Sequence, residues 1–180
     1  GASEPTWPTT EGATVTDGTV TWTCRFGHVY EAGTGNGASL SFDLMDNLVD
    51  LVRGGAPDML LMSRRSRKKL NALLRSSGIV LETKPGAYGE FISLYNGIPV
   101  AISDYVSNDY TVGGTTNASV IFAIQFGEGA LCGVSAPGLI QTEKIGTLET
   151  YDAERIRIKA YASLALFSLP RCALLTGVKD

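Results

Sequence analysis

Residues able to do acid, base or metal chemistry are few in this sequence and lie far apart. The one histidine, His28, stands beside a predicted strand, and nothing near it in the sequence would orient it as a base. Asp43, Asp46 and Asp50 are spaced so that a helix places them on one side, as a metal site or an acid/base pair requires. Carboxylates early in a helix also interact well with its dipole and with water. We therefore expect solvated carboxylates, no metal or cofactor, and no enzymatic activity.

Three further motifs have ordinary structural explanations. The segment Gly33-Thr34-Gly35-Asn36-Gly37 precedes a helix but lacks the Gly-Lys-Ser/Thr ending of a phosphate-binding loop, so a linker is expected. The acidic group Glu149, Asp152 and Glu154 falls in a predicted loop. The cysteines form no CxxC pair, which indicates reduced thiols in a cytosolic assembly: Cys24, Cys132 and Cys172.

The composition is typical of a folded protein, and the net charge does not indicate the broad basic surface of a nucleic-acid-binding protein. The chain has 180 residues, 44% of them hydrophobic, and a formal net charge of -3, which suits one globular domain or one domain with an appended segment. It contains no run of about 18 uncharged apolar residues and no signal-peptide pattern, so no membrane partner is expected. Because it starts at Gly1 without an initiator Met, we expect a processed or cut chain.

The first part of the chain, residues 1–38, is predicted to be a partial β-rich module and linker. Thr19 to Cys24 alternates polar and apolar residues, which predicts a strand, and Asp17-Gly18 before it is a hairpin signal. This ribbon would carry Trp7 and Trp22. Since a lone two-stranded ribbon is marginal in water, it must pack on something else.

Residues 39–180 are predicted to form the core of an α+β fold that starts with two helices. Apolar spacing predicts a helix that begins after Ser41 as N-cap and ends before Gly54-Gly55. A short buried strand, Met59 to Met62, follows. Ser63 then caps a second helix, which runs from Arg64 to Ser76 and buries Leu70, Leu73 and Leu74.

The rest of the chain is predicted to be mostly strands. Asn96-Gly97 between apolar runs predicts a tight hairpin. Strands are also expected at Ile79 to Leu81 and at Ala118 to Phe126, and the second of these is expected to form a hairpin with Ala130 to Val134. A loop is expected at Pro137-Gly138. After it, an alternating strand begins at Arg155 and is expected to enter the core through Ala160 to Phe167, and a final helical turn is expected at Arg171 to Leu175.

The one distinctive charge feature is a run of cations at the start of the second helix. It predicts a basic exposed face, without the neighbouring aromatic residues that would stack nucleic-acid bases. Such a face also pairs well with acidic patches on identical neighbours. We favour subunit contact over non-specific contact with DNA, with these candidate residues: Arg64, Arg65, Arg67, Lys68, Lys69, Asp46 and Asp50.

Several of these segments, taken in order, resemble tailed-bacteriophage major capsid proteins. They are the first helix, the strand and basic helix at residues 59–78, the segment from Tyr95 to Tyr105, the strand ending in Phe126-Gly127-Glu128-Gly129, and the alternating strand that starts at Arg155. The likeness covers about residues 40–180 and implies the capsid fold named for phage Hong Kong ninety-seven, with peripheral and axial domains. In that family an N-terminal arm, an extended loop and a long spine helix precede the matching region.

The resemblance implies a self-assembling shell subunit that forms pentamers and hexamers of an icosahedral head around DNA. Such a protein is assembled in the bacterial cytoplasm and has no small-molecule substrate. The alternatives are an encapsulin-like compartment subunit, a tail-associated carbohydrate-binding module based on Trp7 and Trp22, and a hydrolase that depends on His28.

Overall fold

The computed structural model describes residues 14–17, 20–23, 28–33, 37–79, 82–86, 89–106, 108–112, 115–147 and 154–179. Two α-helices lie in this part of the chain, α1 (Phe42–Asp50) and α2 (Arg64–Ser76). Its strands are β1 (Thr14–Asp17), β2 (Val20–Thr23), β3 (His28–Glu31), β4 (Ala38–Ser39), β5 (Met59–Met62), β6 (Thr83–Pro85), β7 (Phe91–Tyr95), β8 (Ile98–Ile102), β9 (Tyr110–Val112), β10 (Thr115–Ile124), β11 (Leu131–Thr147), β12 (Glu154–Leu166) and β13 (Cys172–Lys179).

A hairpin near the start of the described chain matches the predicted N-terminal ribbon. β1 pairs with β2 in antiparallel register, from Thr14 opposite Thr23 to Asp17 opposite Val20. Trp7, Cys24, Val80, Leu81, Glu149 and Asp152 lie outside the described residues, as do the side chains of Trp22 and His28. The proposed division of the chain at residue 38 stays a prediction.

The centre of the fold is a mixed sheet with strand order β3-β13-β10-β5-β8-β7-β6, to which β4 adds beside β13 and β9 beside β10. β13 pairs antiparallel with β10 and parallel with β3, and β5 pairs antiparallel with β10 and parallel with β8. Cys172 to Val178 are all buried. A strand buried on both faces is expected at the middle of a sheet that is covered on both sides.

Alternate residues of the central strands point into two different apolar clusters. The first cluster combines Met62, Ile121 and Leu175 with the buried sides of α1 and α2. The second lies on the other face of the sheet and contains Val120 and Leu174. This alternation follows from the two-residue period of a strand, so both helices cover one face of the sheet.

Both helix starts are capped by the serines that the sequence indicates. Ser41 Oγ accepts a hydrogen bond from the Leu44 amide at 3.3 Å, and Ser63 Oγ accepts one from the Ser66 amide at 3.2 Å. The buried residues of α2 include Leu70 and Leu74, as predicted.

The sequence predicts a strand at Ile79 to Leu81, but Ile79, the one described residue of the three, belongs to the end of α2. Gly78 has φ of 70°, and the Ile79 amide donates to the Leu74 carbonyl at 3.1 Å. This is the glycine-terminated cap common at helix ends. Ile79 therefore belongs to the helix cap, and the next strand, β6, begins at Thr83.

The predicted Asn96-Gly97 hairpin is confirmed. Tyr95 pairs with Ile98 across the turn, and Asn96 and Gly97 have φ of 48° and 77°. Positive φ at both central residues is the signature of the tight turn that suits twisted antiparallel strands.

Three predictions in the second half of the chain are wrong. The helical turn predicted at Arg171 to Leu175 is the start of β13, preceded by a 3-10 turn at Leu169–Arg171. The predicted hairpin of Ala118–Phe126 with Ala130–Val134 is limited to a turn closed by a bridge between Phe126 and Leu131, because β10 itself pairs with β13 and β5. The loop predicted at Pro137-Gly138 is a bulge within the continuous strand β11.

The contrast between core strands and the exposed strands β11 and β12 gives a stability prediction. Ile121 is fully buried in β10, and Ile158 of β12 is 69% exposed. Ile121→Ala is expected to lower the free energy of unfolding of the unassembled chain by about 2–5 kcal/mol, and the control Ile158→Ala by less than about 1 kcal/mol. Urea denaturation measures both, and equal losses would contradict this core assignment.

Candidate assembly surface

Arg64 is held by an acidic residue of its own chain. Its Nε and Nη2 donate to the two carboxylate oxygens of Asp104 at 2.5 and 2.9 Å, in an exposed pair. The hydrogen bond from Arg64 lowers the pKa of Asp104, and the pKa of Arg64 is raised in turn. The fork of the guanidinium matches a carboxylate in this two-point geometry. Asp104 could not be predicted as the partner of Arg64 because it lies 40 residues further along the chain.

Arg65 supports a bulge within β10, between Thr115 and Ala118. Its Nη2 donates to the Asn117 carbonyl at 2.7 Å and reaches Ser119 Oγ at 3.4 Å. Asn117 has φ of 61°, a conformation that needs support in a residue other than glycine. Ser119 Oγ also donates to Asn108 Oδ1 at 2.7 Å. Arg65 therefore supports the irregular part of β10 that pairs with β9.

The remaining cations of α2 differ in exposure, so its predicted basic face is only partly exposed. Arg67 and Lys69 are half-buried, and Arg67 Nε is a buried atom without a hydrogen-bond partner among the described residues. Lys68 is exposed and makes no hydrogen bond or ion pair with a described residue. Of the five predicted cations, Lys68 is therefore the best placed for an external contact.

The two predicted acidic contact residues occupy different surroundings. Asp50, at the end of α1, is exposed. Asp46 accepts a 2.6 Å hydrogen bond from the hydroxyl of Tyr95, a residue that is only 5% exposed. Burial, and then this hydrogen bond, raise the pKa of Tyr95. Both aspartates are exposed, but the hydrogen bond ties Asp46 to the β7–β8 hairpin.

A long two-stranded ribbon, formed by β11 and β12, is the most prominent exposed feature. The two strands pair antiparallel from Leu131 opposite Leu166 to Thr147 opposite Glu154, and within the described residues neither pairs with another strand, apart from a single bridge of Leu131 to Phe126. Main-chain hydrogen bonds fix the base of the ribbon, among them Phe167 N to Ala130 O at 3.0 Å. The ribbon therefore starts from the core sheet but has no third strand.

The two faces of the ribbon differ in chemistry. Because opposite residues share a face, the register places Lys159, Glu143 and Arg157 together, and Lys159 forms a 2.6 Å ion pair with Glu143. The other face carries the Lys144–Glu154 ion pair at its far end and, along the rest, four exposed aliphatic side chains, with 57–73% of each accessible: Ile140, Ile156, Ile158 and Leu164. We name these four residues the apolar face of the ribbon.

The exposure of this face corrects the prediction that Ala160 to Phe167 enters the core. Leu164 is 73% exposed and Phe167 is 66% exposed. The alternation at residues 155–159 is real, but alternation shows only that two faces differ. The overlooked signal is the recurrence of Gly133, Gly138 and Gly146 in β11, because glycine is unusual inside a core strand.

The described residues hold no group of three or more His, Cys, Asp or Glu side chains that could bind a metal ion. Asp43 accepts a long hydrogen bond from Asn47, and Asp46 bonds Tyr95, so the three aspartates of α1 do not converge. Among the described helices, none is long and apolar enough to cross a membrane.

Comparison with known sequences gives no match, either to protein-family models or to curated proteins. Comparison with solved structures finds similar chains. A chain of the holo-SrpI encapsulin complex from Synechococcus elongatus PCC 7942 matches with a TM-score of 0.64 and 18% identity over 84% of this chain. A virus-like particle from Pyrococcus furiosus matches with a TM-score of 0.39 and 16% identity over 82% of this chain.

The first of these matches shows the fold. The chain has a mixed, sheet-rich α+β fold that it shares with the encapsulin complex chain, and it spans 53% of that chain's length. The expected fold class is thereby confirmed at this level. The division into peripheral and axial domains and the relation to tailed phages stay predictions.

The Tyr95–Asp46 hydrogen bond gives a prediction with a defined pH dependence. Because the native pKa of Tyr95 is raised above its ordinary value of 10.0, its contribution to stability is complete below about pH 10 and is lost as the pH rises further. Tyr95→Phe is expected to lower the free energy of unfolding by about 1 kcal/mol at pH 7, and this difference shrinks above about pH 10.

Urea denaturation across pH 7 to about 11 measures this difference. Tyr105→Phe is the control, because Tyr105 is 98% exposed and its loss should change little. A deficit of Tyr95→Phe that stays constant through the alkaline range would contradict the assignment.

Proposed function

We propose that this chain is part of a shell subunit that associates with copies of itself into closed particles, with a structural and not a catalytic role. The observation that carries the proposal is the apolar face of the ribbon. Four aliphatic side chains aligned on one face and exposed to water are unfavourable in a free molecule and mark a contact surface. The fold shared with an encapsulin complex chain supports the same role.

Closed shells need the same contacts repeated by symmetry. The chain offers a feature suited to such repetition, since α1 and α2 cover one face of its core sheet, whereas the apolar face of its ribbon is exposed. We propose pentamers and hexamers as the repeating units. Lys68 and Asp50, exposed on α2 and α1, are the charged side chains best placed for contacts between copies.

Two kinds of shell fit the chain. The order of sequence motifs favours the head of a tailed phage, assembled in the bacterial cytoplasm around DNA. The structural match to an encapsulin complex favours a protein compartment. We propose the phage head as the first candidate and the encapsulin-like compartment as the second.

The assembly state of the complete gene product tests the proposal. Negative-stain microscopy and light scattering are expected to show closed particles tens of nanometres across. A strict monomer at every salt concentration and pH tried would contradict it. If particles form, nuclease-protected DNA inside them indicates a phage head, and a protein content indicates a compartment.

The apolar face of the ribbon gives a residue-level prediction. The double variant Ile156→Thr/Ile158→Thr keeps a β-branched residue at each position, so the ribbon itself is preserved. Its apolar contact is lost, and we expect particle yield to fall at least tenfold in size-exclusion chromatography with light scattering.

The control uses the opposite face of the same strand, where Arg155 and Arg157 lie. Arg155→Thr/Arg157→Thr is expected to retain most of the particles. Equal yields from the isoleucine variant and the wild type would show that the apolar face is not an assembly contact.

A further inference from the structure

A cavity of about 300 Å³ lies between the start of α1, the end of α2 and the β7–β8 hairpin. It is separate from the ribbon, and its volume is at the lower end of the range for pockets that hold small organic groups. Its lining combines aliphatic, aromatic and acidic side chains: Phe42, Asp46, Leu74, Ile79, Glu82, Leu94, Tyr95 and Asn96. We call it the Asp46 cavity.

One wall of the Asp46 cavity is held by a ring stack and by hydrogen bonds to Asp46. The rings of Phe42 and Tyr95 stack with their centroids 6.5 Å apart and an interplanar angle of 13°. The Tyr95 hydroxyl donates to Asp46 Oδ1 at 2.6 Å, and Asn96 Nδ2 approaches the same oxygen at 3.5 Å. Asp46 Oδ2 accepts no hydrogen bond from a described residue. One oxygen of Asp46 thus holds the wall together, and the other is left for a ligand.

The charges lining this cavity are all negative. Asp46 and Glu82 both line it, and neither forms an ion pair with a cation in the described part of the chain. Ionised carboxylates only accept hydrogen bonds, so a complementary ligand must donate them. Phe42, Ile79 and Leu94, which are all partly exposed in this lining, suit an alkyl stem. An anion or a purely apolar ligand fits this lining less well.

We propose that the Asp46 cavity binds the head of an alkylguanidinium or alkylammonium group, with Asp46 and Glu82 as its acidic partners. Such a group can come from a free small cation or from an arginine or lysine side chain of a second copy of this chain. The binding itself does not depend on the chain's being a shell subunit. The second source does rest on that proposed function.

The test compares two ligands that differ mainly in charge. The unassembled chain is titrated with n-butylguanidinium and with n-butylurea, its neutral near-isostere, and binding is followed by calorimetry and by the aromatic NMR signals. n-Butylguanidinium is expected to bind with a dissociation constant of roughly a millimolar, ordinary for so few atoms, and at least tenfold more tightly than n-butylurea. Equal binding of the two ligands, or none, would overturn the proposal.

Variants then locate the site. Asp46→Asn keeps the shape of the side chain and an acceptor for Tyr95 but removes the charge, so it should weaken n-butylguanidinium binding at least tenfold. Glu82→Gln changes an exposed residue and serves where Asp46→Asn perturbs folding. Asp50→Asn, one turn further along α1 and outside the cavity lining, is the matched control and should bind as wild type. Unchanged binding by both Asp46→Asn and Glu82→Gln would overturn the assignment.

Assembled particles distinguish the two sources. If a neighbouring copy fills the cavity, n-butylguanidinium binds the free chain but not the particle, and it lowers particle yield. If the natural ligand is a free cation, particles and free chain bind alike. A chain that binds but never assembles contradicts only the proposed function, and one that assembles but never binds contradicts only this inference.

Discussion

The fold depends on the burial of β13 between β10 and β3. Every residue of this strand from Cys172 to Val178 is buried, and its register with β10 places Ile124 opposite Cys172. β10 and β13 are therefore antiparallel neighbours, although 47 positions, residues 125–171, separate them in the chain. The chain therefore leaves the sheet after β10 and returns to the same end of the sheet at the start of β13. The ribbon lies in the middle of this segment, which explains why it can be long and yet outside the core.

Local signals in the sequence were sufficient for elements whose ends are fixed by nearby residues. Ser41 and Ser63 cap their helices through hydrogen bonds to amides three residues on, and Asn96-Gly97 makes its turn from its own backbone freedom. Each of these interactions spans only a few residues. They could be predicted because the physical cause and its effect lie in the same short window.

Long-range pairing could not be predicted in the same way. The apolar run that begins at Cys172 fits a buried helix turn or a buried strand, and only its partners β10 and β3 decide. The alternation correctly predicts that the isoleucines of β12 share one face, but it does not show whether that face packs against a core. Likewise the cations of α2 were recognisable as a group, whereas Asp104 and Asn117, which hold Arg64 and Arg65, lie 40 and 52 residues away.

The ribbon links stability to association. A two-stranded ribbon without a covering layer is marginal in water, and the free energy of burying its aliphatic face, at about 25 cal/mol per Å², is not gained within the described chain. That stabilisation becomes available only when another surface covers Ile140, Ile156, Ile158 and Leu164. The core sheet, in contrast, gains its burial within the chain itself. Under the proposed function, the core sheet is stabilised within the chain and the ribbon is stabilised by contact with another copy, so folding and assembly depend on separate sets of residues.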